Sequence, residues 1–245
     1  MAEAIRVLVN GASGRMGKIT TKMLSLHPDF TLVGETGRKD DLAKKIQESQ
    51  AEVVIDLTHA DVVYNNIQTI IESGAHPVIG TSGLLPDQVE GLQKRCKALN
   101  LGGIIAPNFS IGVVLTMKYA QEIAKYFPHV EIIEMHHDGK LDSPSSTALY
   151  TAELLAKANE INPSQSTIHE TVPGSRGANH KNVPIHSIRL PGLIAHQRII
   201  FGGLGETLTL GYDTVDRLSF MPGITLACKK AMELDELVYG LENVL

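Results

Sequence analysis

The chain has 245 residues, which at roughly 100 to 200 residues per domain allows one large domain or two small ones. Its 22 basic and 27 acidic residues leave a formal charge of −5; without a cationic excess to neutralise phosphate backbones, a small metabolite rather than nucleic acid is the expected partner. Cys96 and Cys228, far apart, exclude a disulfide framework and a cysteine-rich zinc site, and no apolar run approaches the roughly 18 residues of a membrane span, so a soluble, cytoplasmic protein is expected.

The chain opens on a strand-like segment, residues 5–10, with no signal-type apolar region ahead of it. There follow in alternation a helix over 15–27, a strand over 30–35, a helix over 40–49 and a strand over 53–58. A helix over 61–73, a strand over 77–81, a helix over 87–99 and a strand over 103–106 continue the series. This βαβ rhythm, with nearly uninterrupted apolar strands, predicts an α/β fold with a Rossmann-type, doubly wound parallel sheet. After a helix over 112–127 and a strand over 130–134 the rhythm changes. A helix over 146–159, a long loop over 162–183 and three strands over 185–190, 194–201 and 206–214 predict an α+β domain with a mixed or antiparallel sheet. The three strands, so closely spaced, are expected to be antiparallel neighbours. A last helix over 224–234 is free to pack on either domain.

Between the first strand and first helix stands Asn10-Gly11-Ala12-Ser13-Gly14-Arg15-Met16-Gly17. Gly11 suits the tight turn, Gly14 lets the backbone approach a pyrophosphate, and Gly17 lets helix and strand pack closely. A purely structural turn would use similar glycines, but the placement at the first strand-to-helix crossing favours a dinucleotide. A P-loop would need Gly and Ser/Thr where Ala12 and Ile19 stand, and a nucleophile elbow would need a residue between Ser13 and Gly14. After the second strand, Glu35 is placed to take a ribose 2′-hydroxyl as in an NAD site, whereas Arg38 and Lys39 supply two cations for a 2′-phosphate. Solvated charges at a helix start would account for the same residues; the balance lies with NADPH, NADH also being used.

The segment Glu134-Met-His136-His137-Asp-Gly-Lys140-Leu-Asp142-Ser-Pro-Ser145-Ser146-Thr147-Ala148 joins cations to a Ser/Thr cluster that opens a helix. Ser146 and Thr147 at that helix N-terminus suit a carboxylate, and Lys140 or a histidine can donate a proton. An N-cap at Ser145 or Ser146 with exposed histidines is the plainer alternative. Adjacent strand residues point to opposite faces, so His136 and His137 do not make a metal site and none is expected.

Together with Gly80-Thr81-Ser82-Gly83 and Ala106-Pro107-Asn108-Phe109-Ser110, these motifs resemble those of the dihydrodipicolinate reductase family, in matching order over nearly the whole chain. The resemblance implies NAD(P)H-dependent reduction of a small cyclic dicarboxylate in diaminopimelate and lysine biosynthesis. It implies that Gly11 to Met16 bind the pyrophosphate, with Gly80, Thr81, Ser82 and Ala106 to Phe109 at the nicotinamide end. It makes His136 a proton donor and acceptor, Lys140 a proton donor, His137 a substrate contact and Ser146–Thr147 the carboxylate site. Arg217-Leu-Ser-Phe220 resembles a segment that returns to the cofactor domain. The implied domains are therefore residues 1–107 with 216–245, binding the dinucleotide, and 108–215, binding substrate and building a homotetramer. Two departures stand out. Ser146 replaces the usual glycine, and Arg38-Lys39 replaces the acidic residue followed by arginine of many relatives, which favours NADPH.

Three rival classes carry different signatures. A short-chain carbonyl reductase needs Tyr-x-x-x-Lys, and none of the six tyrosines has lysine at the fourth position. A non-catalytic NAD(P) sensor would need neither Lys140 nor the Ser/Thr pocket, and a metal hydrolase on His136 and His137 would be sensitive to chelators.

Overall fold

A computed structural model describes residues 3–159, 161 and 169–245, and these divide into two compact units, residues 1–111 with 217–245 and residues 112–216. In the first unit, β1 (Ile5–Asn10), β2 (Phe30–Thr36), β3 (Val53–Asp56), β4 (His76–Ile79), β5 (Gly103–Ile105) and β11 (Leu237–Tyr239) form a parallel sheet of order β11-β5-β4-β3-β1-β2. All four residues of β3 are fully buried, as are Val7 to Val9 of β1. Such two-sided burial explains why these strands read as continuous apolar runs.

The helices α2 (Leu42–Ser49), α3 (Ala60–Glu72) and α4 (Pro86–Leu99) share one core with Leu8, Val54 and Ile79 of the sheet. On α3 the buried residues are Val63, Ile67, Ile70 and Ile71, a spacing that makes one apolar stripe. The helices α1 (Arg15–Leu24) and α7 (Met221–Glu233) meet a 3-10 turn over Arg217–Phe220; α1 packs on β1 and β2, and α7 on β3, β4 and β5. The last helix thus belongs to the first unit. It begins at Met221 rather than 224, with Pro222 in its first turn, where a missing N–H has no helical partner to lose. The strand β11 was not foreseen: three residues with one buried side chain, Leu237, carry too little periodicity.

In the second unit, α5 (Ile111–Ala124, its first residue in the other unit) and α6 (Ser146–Ala158) cover one face of a mixed sheet. Its strands are β6 (His129–His136), β7 (Ala178–His180), β8 (Val183–Arg189), β9 (Ala195–Gly203) and β10 (Glu206–Thr214), in the order β10-β9-β6-β8-β7. The expectation of three successive antiparallel neighbours fails at one point. β9 and β10 do pair antiparallel, but β8 lies parallel to β6, which separates it from β9. Linker length limits how far the chain can travel between strands; it does not decide which edge of β6 each strand takes. The loop expected over 162–183 holds β7, which forms a hairpin with β8 through Lys181 and Asn182, both at positive φ. Residues 162–168 of that loop lie outside the described residues.

Alternation along the central strand puts Val130, Ile132 and Glu134 on the helix-covered face and Glu131, Ile133 and Met135 on the other. No helix among the described residues is long and apolar enough to cross a membrane.

Candidate active site

The glycine turn sits at the carboxyl ends of β1 and β3, where the strand order reverses between β2 and β3 and leaves a crevice. Gly11 has φ +85°, and a Cβ there would come 2.6 Å from the Leu57 carbonyl oxygen; a Cβ on Gly17 would come 2.2 Å from the Gly11 carbonyl oxygen. Both positions therefore require glycine. Gly14 caps α1, with no side-chain cap and no acidic residue in the first turn, so the helix presents its amino end to an anion without competition.

Two adjoining cavities line this turn. One, of about 410 Å³, is bounded by Asn10, Gly11, Ser13, Gly14, Leu57, Thr58, His59 and Asn66. The other, about 500 Å³, is bounded by Ala12, Ser13, Lys18, Glu35, Arg38 and Lys39. Glu35 and the two exposed cations thus share one cavity with Lys18, a third cation that the sequence reading passed over. A glycine cradle that a Cβ would fill, an uncapped helix end and clustered cations fit a phosphorylated dinucleotide. Ala12 is buried and Arg15 exposed, while Met16 is half-buried.

Beneath the turn, fully buried Asp56 ties the strand ends together. Its carboxylate accepts from Asn10 Nδ2 (2.8 Å), Asn66 Nδ2 (2.8 Å), Thr58 Oγ1 (2.7 Å) and Thr81 Oγ1 (2.7 Å). Thr81 is thereby assigned a structural bond, and its oxygen also accepts from the Thr58 N–H at 2.8 Å. A Cβ on Gly80 would meet the Phe109 ring at 2.6 Å, so Gly80 and Phe109 pack directly. Ser82 and Pro107 are exposed, and Ala106 is buried. Asn108 Oδ1 accepts from the Ser110 N–H at 2.8 Å, closing the turn into α5. Gly80, Thr81 and Ser82, like Ala106 to Phe109, follow the carboxyl ends of neighbouring strands β4 and β5. Arg217 and Phe220 lie in the 3-10 turn that touches α1.

The second constellation is built entirely in the second unit. His136 ends β6, His137 and Lys140 follow in the loop, and Ser145 caps α6, its Oγ accepting from the Ala148 N–H at 3.2 Å. Ser145, rather than Ser146, is therefore the cap, which leaves Ser146 exposed and Thr147 half-buried in the first turn. The peptide bond between Ser143 and Pro144 is cis. Lys140 Nζ lies 2.7 Å from both carboxylate oxygens of Asp142.

Glu134 anchors the cluster from below. His136 Nδ1 lies 2.5 Å from its Oε2, and Arg189 donates to both oxygens, at 2.9 and 2.8 Å. Burial, the largest single influence, resists its ionisation. The bonds from His136, Arg189 and Ser187 and the Arg189 charge together outweigh burial and bring the carboxyl down to about 2. Glu134 and Arg189 were missed in the sequence, although a glutamate at an inward position of an alternating strand signals a buried partner. Among the described residues no group of three His, Cys, Asp or Glu side chains gathers as a metal site would require.

Two family models match the chain, described as dihydrodipicolinate reductase, N-terminus, over residues 5–109 and dihydrodipicolinate reductase, C-terminus, over residues 112–245. A 4-hydroxy-tetrahydrodipicolinate reductase of Coxiella burnetii (strain Dugway 5J108-111) is 52% identical over 242 residues, 99% of this chain and 100% of the relative. One of Legionella pneumophila (strain Lens) is 50% identical over 240 residues, 98% and 99% of the two chains. The solved structure of a dipicolinate-bound dihydrodipicolinate reductase from Paenisporosarcina sp. TG-14 superposes with a TM-score of 0.94 at 40% identity, covering 99% of this chain and 100% of that one.

Proposed function

The chain belongs to the dihydrodipicolinate reductase family, and from that premise we propose how its own residues divide the work. The activity is the NAD(P)H-dependent reduction of 4-hydroxy-tetrahydrodipicolinate to tetrahydrodipicolinate, a step of lysine and diaminopimelate biosynthesis. The first unit is the nucleotide-binding part, and the substrate class is a small cyclic dicarboxylate.

Gly11 to Met16 and the amino end of α1 hold the pyrophosphate, Gly17 giving the turn its depth. Arg38 and Lys39, aided by Lys18, hold the 2′-phosphate, which makes NADPH the preferred reductant while Glu35 leaves NADH usable. Gly80 to Ser82, Ala106 to Phe109, Arg217 and Phe220 bound the nicotinamide end. When bound, the reduced nicotinamide supplies the hydride, directed to C4 of the unsaturated ring.

The second unit supplies charge and protons. Ser146 and Thr147, with the N–H groups of the first turn of α6, fix one substrate carboxylate, and His137 adds positive charge. Once the 4-hydroxyl has left as water the ring is a conjugated imine; hydride arrival at its C4 leaves an enamine, whose neighbouring carbon takes a proton from the Lys140 ammonium, and His136 exchanges protons alongside it. The observation that carries this reading is the clustering of His136, Lys140 and the capped end of α6 on one short loop. Unpaired, buried Cys96 and Cys228 are compatible with a cytoplasmic protein. The half-buried Ile133 and Met135, and Ile188, 37% exposed, on the helix-free face of the second sheet, support a homotetramer.

The test is cofactor oxidation at 340 nm, with substrate generated in situ from pyruvate and aspartate semialdehyde. Wild type consumes NADPH, and NADH more weakly; Lys140→Ala loses the rate by about 10²-fold or more while still binding NADPH. An active Lys140→Ala would return the proton-donor role to another group.

A further inference from the structure

Among the described residues two carboxylates are fully buried, Asp56 and Glu134. The first is occupied by its own turn, but the second touches a group that the reaction uses. Glu134 precedes His136 by two residues on β6, so both side chains stand on the same face of the strand. Its Oε2 faces His136 Nδ1 at 2.5 Å, the Arg189 fork spans both oxygens, and the Ser145 N–H donates to Oε1 at 3.2 Å. Arg189 also donates to the Asp142 carbonyl oxygen at 2.7 Å, and the Asp142 carboxylate holds Lys140. The end of β6, the end of β8, the intervening loop and the first turn of α6 are thus referenced to one carboxylate.

An ionised carboxylate only accepts hydrogen bonds. The ring nitrogen facing Glu134 must therefore carry a proton whether the imidazole is neutral or cationic. The neutral ring then has a bare Nε2 and the cation an Nε2–H, so proton exchange is confined to a single atom.

We propose that Glu134 is the positioning residue of the site: it holds His136 with Nδ1 protonated so that protons pass through Nε2 alone, and through Arg189 it holds the loop that carries Lys140. The proposal rests on the proton-transfer role assigned to His136 above. A mere staple between β6 and β8 would not determine which nitrogen bears the proton, and the experiment exploits that difference.

With 15N-labelled histidine, two-bond 1H–15N correlation of the wild-type protein reads the tautomer of His136 directly. The expected neutral form is Nδ1–H with bare Nε2; the opposite tautomer overturns the proposal without any variant having to fold. In Glu134→Gln the carboxamide oxygen stays with Arg189 and its NH2 turns to the imidazole, so the tautomer inverts. The kcat then falls by about 100-fold with the KM for NADPH unchanged. A folded Glu134→Gln with wild-type kcat, or with the wild-type tautomer at His136, overturns the positioning role. His136→Gln separates the two levels. If it keeps wild-type kcat, the proton-transfer role fails and the proposal with it; if it is impaired while Glu134→Gln is not, positioning alone fails.

Discussion

The ammonium of Lys140 rests 2.7 Å from each carboxylate oxygen of Asp142, two residues further along the same loop. Lys140 is the more enclosed partner, 21% exposed against 58%. The lysine bond is the main reason that the Asp142 carboxyl is held below the usual range. A substrate dicarboxylate approaching Lys140 meets this anion first. Asp142→Asn removes the competing charge, and the KM for substrate is expected to fall by about two- to fivefold, the scale of an exposed ion pair. Steady-state kinetics at saturating NADPH measures it; an unchanged or higher KM would mean that substrate and Asp142 do not share the lysine.

In the proposed assignment, cofactor choice turns on the cavity that holds Arg38, Lys39 and Glu35. Charge-assisted hydrogen bonds to a phosphate contribute about 1.5 to 3 kcal/mol when formed. Exposure at Arg38 and Lys39 puts them at the low end. Arg38→Ala and Lys39→Ala are each expected to raise the KM for NADPH about tenfold and that for NADH less than twofold. Parallel titrations with both cofactors decide it, and equal losses for the two would assign these cations to the shared pyrophosphate.

The buried Glu134 predicts an acid limit to stability. Its carboxyl falls from the ordinary 4.5 to about 2 in the folded state. The unfolded chain therefore binds the proton more readily, and the contribution is complete above about pH 4.5 and is lost as pH falls from there through about 2. Its size is about 3 kcal/mol. Urea midpoints collected between pH 7 and 2.5 should fall most steeply below pH 4.5, and the fall should be shallower in a variant in which Glu134 and Arg189 are both replaced by glutamine.

The parallel sheet was legible because its strands are buried on both faces: Val7, Leu8 and Val9 or Val53, Val54 and Ile55 announce themselves without any partner being known. The glycine turn was legible for a related reason. At Gly11 and Gly17 backbone geometry excludes every other residue, so the constraint is written in the residue identity itself. The loop from His136 to Thr147 carries its reactive groups within twelve consecutive positions, which is why it could be read before any fold was known. Ser145 as the cap of α6 was one of two choices that local sequence left open, and the hydrogen bond to Ala148 decided it.

What local sequence could not carry was pairing across distance. The placement of β6 between β8 and β9 depends on the free energy of a whole sheet, not on the few residues that link two strands. Lys18 joined the cavity of Glu35, Arg38 and Lys39 only because α1 packs beside β2. Glu134 and Arg189 are 55 positions apart and meet because parallel β6 and β8 bring their carboxyl ends together, Arg189 registering opposite His136. Short-range sterics and periodicity thus suffice for the turn and the fold class, and closeness in the chain for the polar groups of the loop. Which buried charge faces His136 is settled by long-range packing, because a carboxylate is tolerated in the core only where distant chain segments deliver its partners.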